Sequence, residues 1–153
     1  MNDLIFKAAL HQARKAGALQ EVPVGAVVFD TRTGEIVAKA FNQTEKKRDP
    51  TAHAEILAVQ KACRKLKCKR LPGYSLFVTL EPCPMCAGAL SLARLDHVYF
   101  GAFDPKTGGL MQGARVFEHP QTHHKPQLTG GICAPDCGAL LSDFFKAKRG
   151  EKK

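Results

Sequence analysis

Residues His53-Ala54-Glu55 are followed, 28 positions after the glutamate, by Cys83-Pro84-Met85-Cys86, itself preceded by Pro82. This constrains the fold more than any other feature, because one imidazole and two thiols so far apart must meet at one point to act together. Zinc takes four tetrahedral ligands from imidazole and thiolate, and a site with three protein donors keeps a position for water, as catalytic rather than structural sites do. Zinc brings the pKa of water at that position to about 7. Glu55 lies two residues from a ligand and is not needed as one, so it can take the proton and pass it on. The combination predicts hydrolysis at an electrophilic carbon. A Cys-x-x-Cys alone also fits a redox pair or half of a structural zinc knuckle; His53 and Glu55 turn the reading toward catalysis.

The flanking residues predict how the donors are placed. Asp49-Pro50-Thr51 supplies N-cap residues and a proline suited to a first turn, so His53 and Glu55 fall near a helix start. Residues two apart do not share a helix face, so both serve one ion only if it lies off the end of that first turn. Cys83 and Cys86 are three apart and do share a face. Glu81-Pro82 before them reads as the start of a second helix, whose positive end favours thiolates. Two helix N-termini converging on one ion is the predicted arrangement.

Leu4, Ile5, Ala8, Ala9, Gln12 and Ala16 trace an amphipathic helix ending near Gly17. Apolar strands over 24–29 and 35–41 flank a turn at 31–34, which makes them an antiparallel hairpin. The helix from His53 runs to about Leu66 with Ile56, Val59, Cys63 and Leu66 inward, and a strand follows over 75–80. The Cys83 helix runs to about Leu95, and another strand covers 97–101. A last helix starts at Pro135 with Cys137, Leu140, Leu141, Phe144 and Phe145 at core-facing spacing. The stretch 104–126, rich in Gly and containing Pro, gives no assignable pattern. Strands alternating with helices predict a three-layer α/β domain whose sheet is largely parallel beyond the hairpin. At 153 residues and 44% hydrophobic the chain has material for one core, here taken as a single domain over 1–149 with a basic tail at 150–153. It carries no run of 18 apolar residues and no signal-type N-terminus, which predicts a cytoplasmic protein without membrane contact.

Of six cysteines, Cys63, Cys68, Cys133 and Cys137 sit in ordinary patterned segments and are expected to be reduced and structural. Cys133 and Cys137 have no further His or Cys spaced to complete a second metal site. Lys and Arg number 23 against 14 Asp and Glu, a formal charge of +9, and Lys61, Arg64, Lys65, Lys67, Lys69 and Arg70 crowd together. Any single lysine serves solubility as readily as binding, but the overall excess suits a polyanion. An enzyme of free bases has no need of a positive surface, whereas one gripping several phosphates gains salt-dependent affinity. Lys146, Lys148, Arg149, Lys152 and Lys153 form a second cluster. Phe144 and Phe145 before it have two readings: both in the core, or one exposed to stack on a splayed RNA base, and on the second reading Phe145 joins the RNA contacts.

The chain resembles the zinc-dependent nucleoside and nucleobase deaminase superfamily, whose own signature is His-x-Glu with Pro-Cys-x-x-Cys. The nearer resemblance is to its bacterial tRNA adenosine deaminase branch. It rests on blocks 21–26, Asn42, 49–55, 79–83, 86–89, 100–102 with Asp104, 106–108 and 140–145, which span nearly the whole chain. The resemblance implies a cytidine-deaminase-like fold, α/β/α around a five-stranded mixed sheet. It implies one zinc per chain held by His53, Cys83 and Cys86, with Glu55 as the catalytic acid-base. The reaction implied is hydrolytic deamination of adenosine to inosine at the wobble position of a tRNA anticodon, where the target is already unpaired. Asn42 matches a contact to the target nucleoside, Asp104 an acidic residue near its neighbours, and the family enzyme is a homodimer. Phe103 stands where a family member carries a basic residue, and Cys133 and Pro135 begin the last helix unusually, which bears on loop contacts rather than chemistry.

Three rivals share parts of this pattern. A free-base deaminase shares the metal motif, but the basic excess and the Phe-Phe-Lys ending speak against it. A catalytically silent RNA-binding module would have no use for Glu55 beside an open coordination position. A partner subunit of a heterodimeric editing enzyme can lose that glutamate, and this chain keeps it.

Overall fold

Helix α1 (Asp3–Ala18) is capped by Asn2, whose Oδ1 accepts the Ile5 N–H at 3.1 Å. In this computed structural model, which describes residues 1–151, α1 buries Ile5, Ala9, Leu10, Gln12, Ala13 and Ala16. Leu4, expected inward, is 71% exposed, because the buried stripe begins at Ile5 and Leu4 lies about 100° away from it. The small residues of this stripe let α1 lie directly on the sheet. A Cβ on Gly25 would collide with the Ala9 carbonyl and sit 2.6 Å from the Ala13 nitrogen.

Five strands form the sheet: β1 (Gly25–Asp30), β2 (Ile36–Phe41), β3 (Tyr74–Leu80), β4 (His97–Ala102) and β5 (Gln127–Thr129). Their order is β2-β1-β3-β4-β5. β1 pairs antiparallel with both β2 and β3, and β3, β4 and β5 run parallel. The hairpin turn is held by Asp30, whose Oδ1 accepts the N–H groups of Arg32 and Thr33, with Gly34 at φ 77°. β5 had no signal in the sequence: three residues are too few to show alternation.

Alternation along the inner strands divides the core. Ala26, Val28, Leu76, Val78, Val98 and Phe100 face helices α3 (Ala54–Leu66) and α4 (Pro84–Leu92). Val27, Phe29 and Phe77 face α1. Helix α5 (Ala134–Glu151) packs beside α1 through Cys137, which meets Leu10 and Ala102. The molecule is thus the expected three-layer α/β/α arrangement around a mixed sheet. Phe77 and Phe100 are fully buried on opposite faces, each worth about 2 to 3 kcal/mol.

Several expectations need correction. The inner face of α3 is Ala54, Leu57, Ala58 and Ala62, while Ile56, Val59, Cys63 and Leu66 are half-buried, since small alanines rather than the larger apolar groups sit closest to the sheet. α4 stops at Leu92 before a left-handed Arg94 (φ 61°), leaving Leu95 buried beyond the helix. A short helix α2 (Thr44–Lys47) had not been expected. On α5, Phe144 is half-buried and Phe145 is 44% exposed, so Phe145 does not belong to the core face. The tail assigned to 150–153 starts inside α5, which continues to Glu151; residues 152 and 153 lie outside the described residues. Cys63, Cys68, Cys133 and Cys137 are free thiols, but Cys68 and Cys133 are exposed rather than packed. Among the described residues no helix is long and apolar enough to cross a membrane.

Candidate active site

His53 is the N-cap of α3 and Cys83 the N-cap of α4, where Pro84 takes the first helical position. Neither side chain caps its own helix. Both therefore point off the helix ends, and Cys86, one turn into α4, meets them. His53 Nδ1 lies 3.6 Å from Cys83 Sγ and 3.4 Å from Cys86 Sγ. All three donor atoms fall within 4.8 Å of one another. A tetrahedral centre with zinc–nitrogen and zinc–sulfur bonds of about 2.0 and 2.3 Å separates nitrogen from sulfur by about 3.5 Å. The residues present therefore fit zinc in both donor type and spacing.

The titration behaviour follows from this crowding. A hydrogen bond from Cys86, with a second contact from His53, holds the Cys83 thiol down at about 4. Cys83 and burial push Cys86 far up, and the Cys83 contact raises His53. Groups competing so closely for protons suit a dication of borderline softness. Glu55, in the first turn of α3, is 4% exposed, and burial pushes its carboxyl up to about 7.

These residues border a cleft of about 220 Å³. Val22, Val24 and Leu80 form an apolar wall, while His53, Glu55 and Cys83 supply the reactive side. Asn42, at the end of β2, also lines it; it is buried, and its amide donates to the Val22 carbonyl at 3.4 Å. Asp104 lines the cleft too, but its carboxylate is engaged locally. Oδ1 accepts the N–H groups of Lys106 and Thr107, and Oδ2 accepts the Thr107 hydroxyl. Phe145 lies outside this cleft, in an adjoining depression that shares Val22 and Thr44 with it and includes Phe144 and Lys148.

Two buried carboxylates shape the walls, and the sequence reading had not given either this role. Glu81 is 2% exposed. Its Oε1 accepts the Asp104 N–H at 3.1 Å, and Oε2 accepts those of Leu110, Met111 and Gln112 at 3.2, 2.8 and 2.9 Å. Glu21, equally buried, accepts the N–H groups of Glu45 and Lys46 at 3.0 and 2.7 Å and so anchors α2 beside the cleft. The available signal was an acidic residue at the edge of an apolar segment, one or two positions before a proline, a place where a carboxylate persists only if backbone donors surround it.

The family model described as MafB19-like deaminase matches residues 1–149. The tRNA-specific adenosine deaminase of Agrobacterium fabrum is 46% identical to this chain over 142 residues, covering 92% of the chain and 91% of that protein. The tRNA-specific adenosine deaminase of Bacillus subtilis is 43% identical over 152 residues, covering 99% and 93%. A solved structure from studies of A-to-I editing by tRNA:A34 deaminases superposes with a TM-score of 0.89 at 43% identity, covering 92% of this chain and all of that one.

Proposed function

The chain belongs to the MafB19-like deaminase family, and from that premise we propose that it converts adenosine to inosine at the wobble position of a tRNA anticodon. One observation carries the reading: a donor set spaced for zinc, His53, Cys83 and Cys86, beside a buried Glu55 in a cleft with room for a single base. The relatives named for this activity align over nearly the whole chain.

His53 Nδ1 and the sulfurs of Cys83 and Cys86 hold the metal. Bound there, zinc supplies the Lewis acidity that makes water a nucleophile at neutral pH. Glu55, with its carboxyl near 7, takes a proton from water and returns protons to ring N1 and the departing amine at C6. Water and adenosine are consumed, and inosine and ammonia are released. Val22, Val24 and Leu80 exclude bulk water around the base, and Asn42 orients the nucleoside. Asp104 shapes the loop that receives the neighbouring nucleotides, and Phe145 offers an exposed ring on which one of them stacks. The tRNA substrate places the protein in the cytoplasm. A homodimer completes the reading, supported by Leu92 at 77% and Met85 at 39% exposure on the zinc-bearing α4.

The test compares inosine formation in an anticodon stem-loop bearing a wobble adenosine with turnover of free adenosine, cytidine and guanine. Conversion of the stem-loop alone is expected. Turnover of a free base or nucleoside with the RNA untouched would keep the zinc chemistry and overturn the substrate.

A further inference from the structure

Lysines from both helical layers converge on one edge of the sheet. β2 is an edge strand. From α3, Lys61 Nζ donates to the Lys39 carbonyl at 3.0 Å, and Lys65 Nζ donates to the Val37 carbonyl at 3.4 Å. From α1, on the opposite side, Lys15 Nζ lies 5.7 Å from the centre of the Phe41 ring. Two ammonium groups are thus laid against strand positions 37 and 39, about 6.6 Å apart along the strand and comparable with the separation of neighbouring phosphates along a nucleic-acid strand, and a third stands over the Phe41 ring from the other face.

The row ends at the candidate active site. Asn42, the residue after Phe41, lines the cleft. The charges on the row are not neutralised: among the described residues the ion pairs are Lys7 with Asp3 and Arg115 with Glu118, neither on this edge. Lys61 and Lys65 each donate one N–H to the strand, and an ammonium has three. Partial burial, with Lys15, Arg64 and Lys47 close by, pushes Lys61 below the ordinary lysine range, as crowded like charges do.

We propose that the β2 edge is a phosphate rail, on which Lys15, Lys61 and Lys65 bind successive backbone phosphates of the RNA strand that runs to the cleft. The inference rests on the RNA substrate proposed above and extends it to contacts beyond the target nucleotide. Lysines on an edge strand also discourage pairing between sheets, and the experiment separates the two roles.

Binding of the zinc-loaded protein to a labelled anticodon stem-loop carrying inosine, so that no turnover occurs, is followed by fluorescence anisotropy across a salt series. Each single-strand phosphate contact contributes about 0.7 to the magnitude of the log–log salt slope. The K15Q/K61Q/K65Q variant is expected to lower that slope by about two, with KM for the adenosine stem-loop raised and kcat unchanged. K15R/K61R/K65R is expected to keep the wild-type slope. Single K61Q and K65Q variants, each expected to remove about 0.7, carry the test if the triple variant folds poorly. An unchanged slope in folded glutamine variants overturns the rail, and so does a variant whose only change is self-association. A wild type that binds with a lysine-dependent slope but forms no inosine keeps the rail and overturns the deaminase reading.

Discussion

The His-Cys-Cys corner and the 104–113 loop adjoin one another beside the same cleft, and they are built by opposite means. In the corner, each donor sits at or within the first turn of a helix, so regular backbone hydrogen bonding positions His53, Cys83 and Cys86. The loop has no regular structure over these residues, and one carboxylate, Glu81, gathers four of its N–H groups from 23 to 31 positions away. The two meet where Gly109 lies on the start of α4: a Cβ there would be 2.6 Å from the Pro84 nitrogen and 2.8 Å from the Cys83 carbonyl carbon. The His53, Cys83 and Cys86 group thus sits on the part of the cleft whose geometry is locally enforced, while the loop beside it is held by long-range contacts, Glu81 foremost and the Pro82 carbonyl, which accepts the Gly109 N–H at 2.8 Å.

The largest effect should come from the corner. Glu55→Ala is expected to retain zinc, measured by elemental analysis, and to lose at least about a hundredfold in turnover, the low end for a general acid-base. Metal loss with unchanged turnover would refute the assignment. Glu81→Gln probes the opposite side at nearly constant size. It removes the charge from a buried acceptor of four N–H groups, and a loss of about 2 kcal/mol is expected, seen as a melting temperature lower by roughly 4 to 8 °C. Zinc content should hold while KM rises more than kcat falls; zinc lost together with loop order would show that the two regions are one cooperative unit. Phe145→Ala should be mildest, raising KM for the stem-loop by about fivefold, or about 1 kcal/mol for one lost stacking contact, with zinc and stability unchanged. A stability loss instead would return Phe145 to the core.

Most of the corner was legible in the sequence because its signals are local. The Cys83–Cys86 spacing acts within one turn, and helix starts near both motifs were read correctly, although the caps are His53 and Cys83 themselves, while residues 50 and 51, read as the start of the His53 helix, form a turn before it. The strands of the inner sheet were legible for the same reason, since alternation is visible within six or seven residues. The misreadings have a common cause as well. Leu4 and Ile56 are apolar and close to the helix period, but which of two adjacent residues points inward depends on how the helix is rotated against the sheet. Asp104, which the resemblance places near the neighbouring nucleotides, lines the cleft, and its carboxylate closes a turn onto Lys106 and Thr107, a local tie that the resemblance does not encode. Lys61 and Lys65, grouped along the chain with Lys67 and Lys69 in one basic cluster, each reach a β2 carbonyl, 22 and 28 residues earlier in the chain.

The sequence by itself determined the His-Cys-Cys group, the carboxylate beside it, the α/β alternation and the approximate helix starts, because each depends on side-chain chemistry and on spacings of a few residues. Only the tertiary structure decided that Glu81 and Glu21 hold the cleft walls, that Phe145 rather than Phe144 is exposed, and that three lysines line one edge strand. Those outcomes depend on which backbone groups lack partners once the layers have packed. A buried carboxylate or a free strand edge recruits its partner by proximity in space, and spacing along the chain does not encode it.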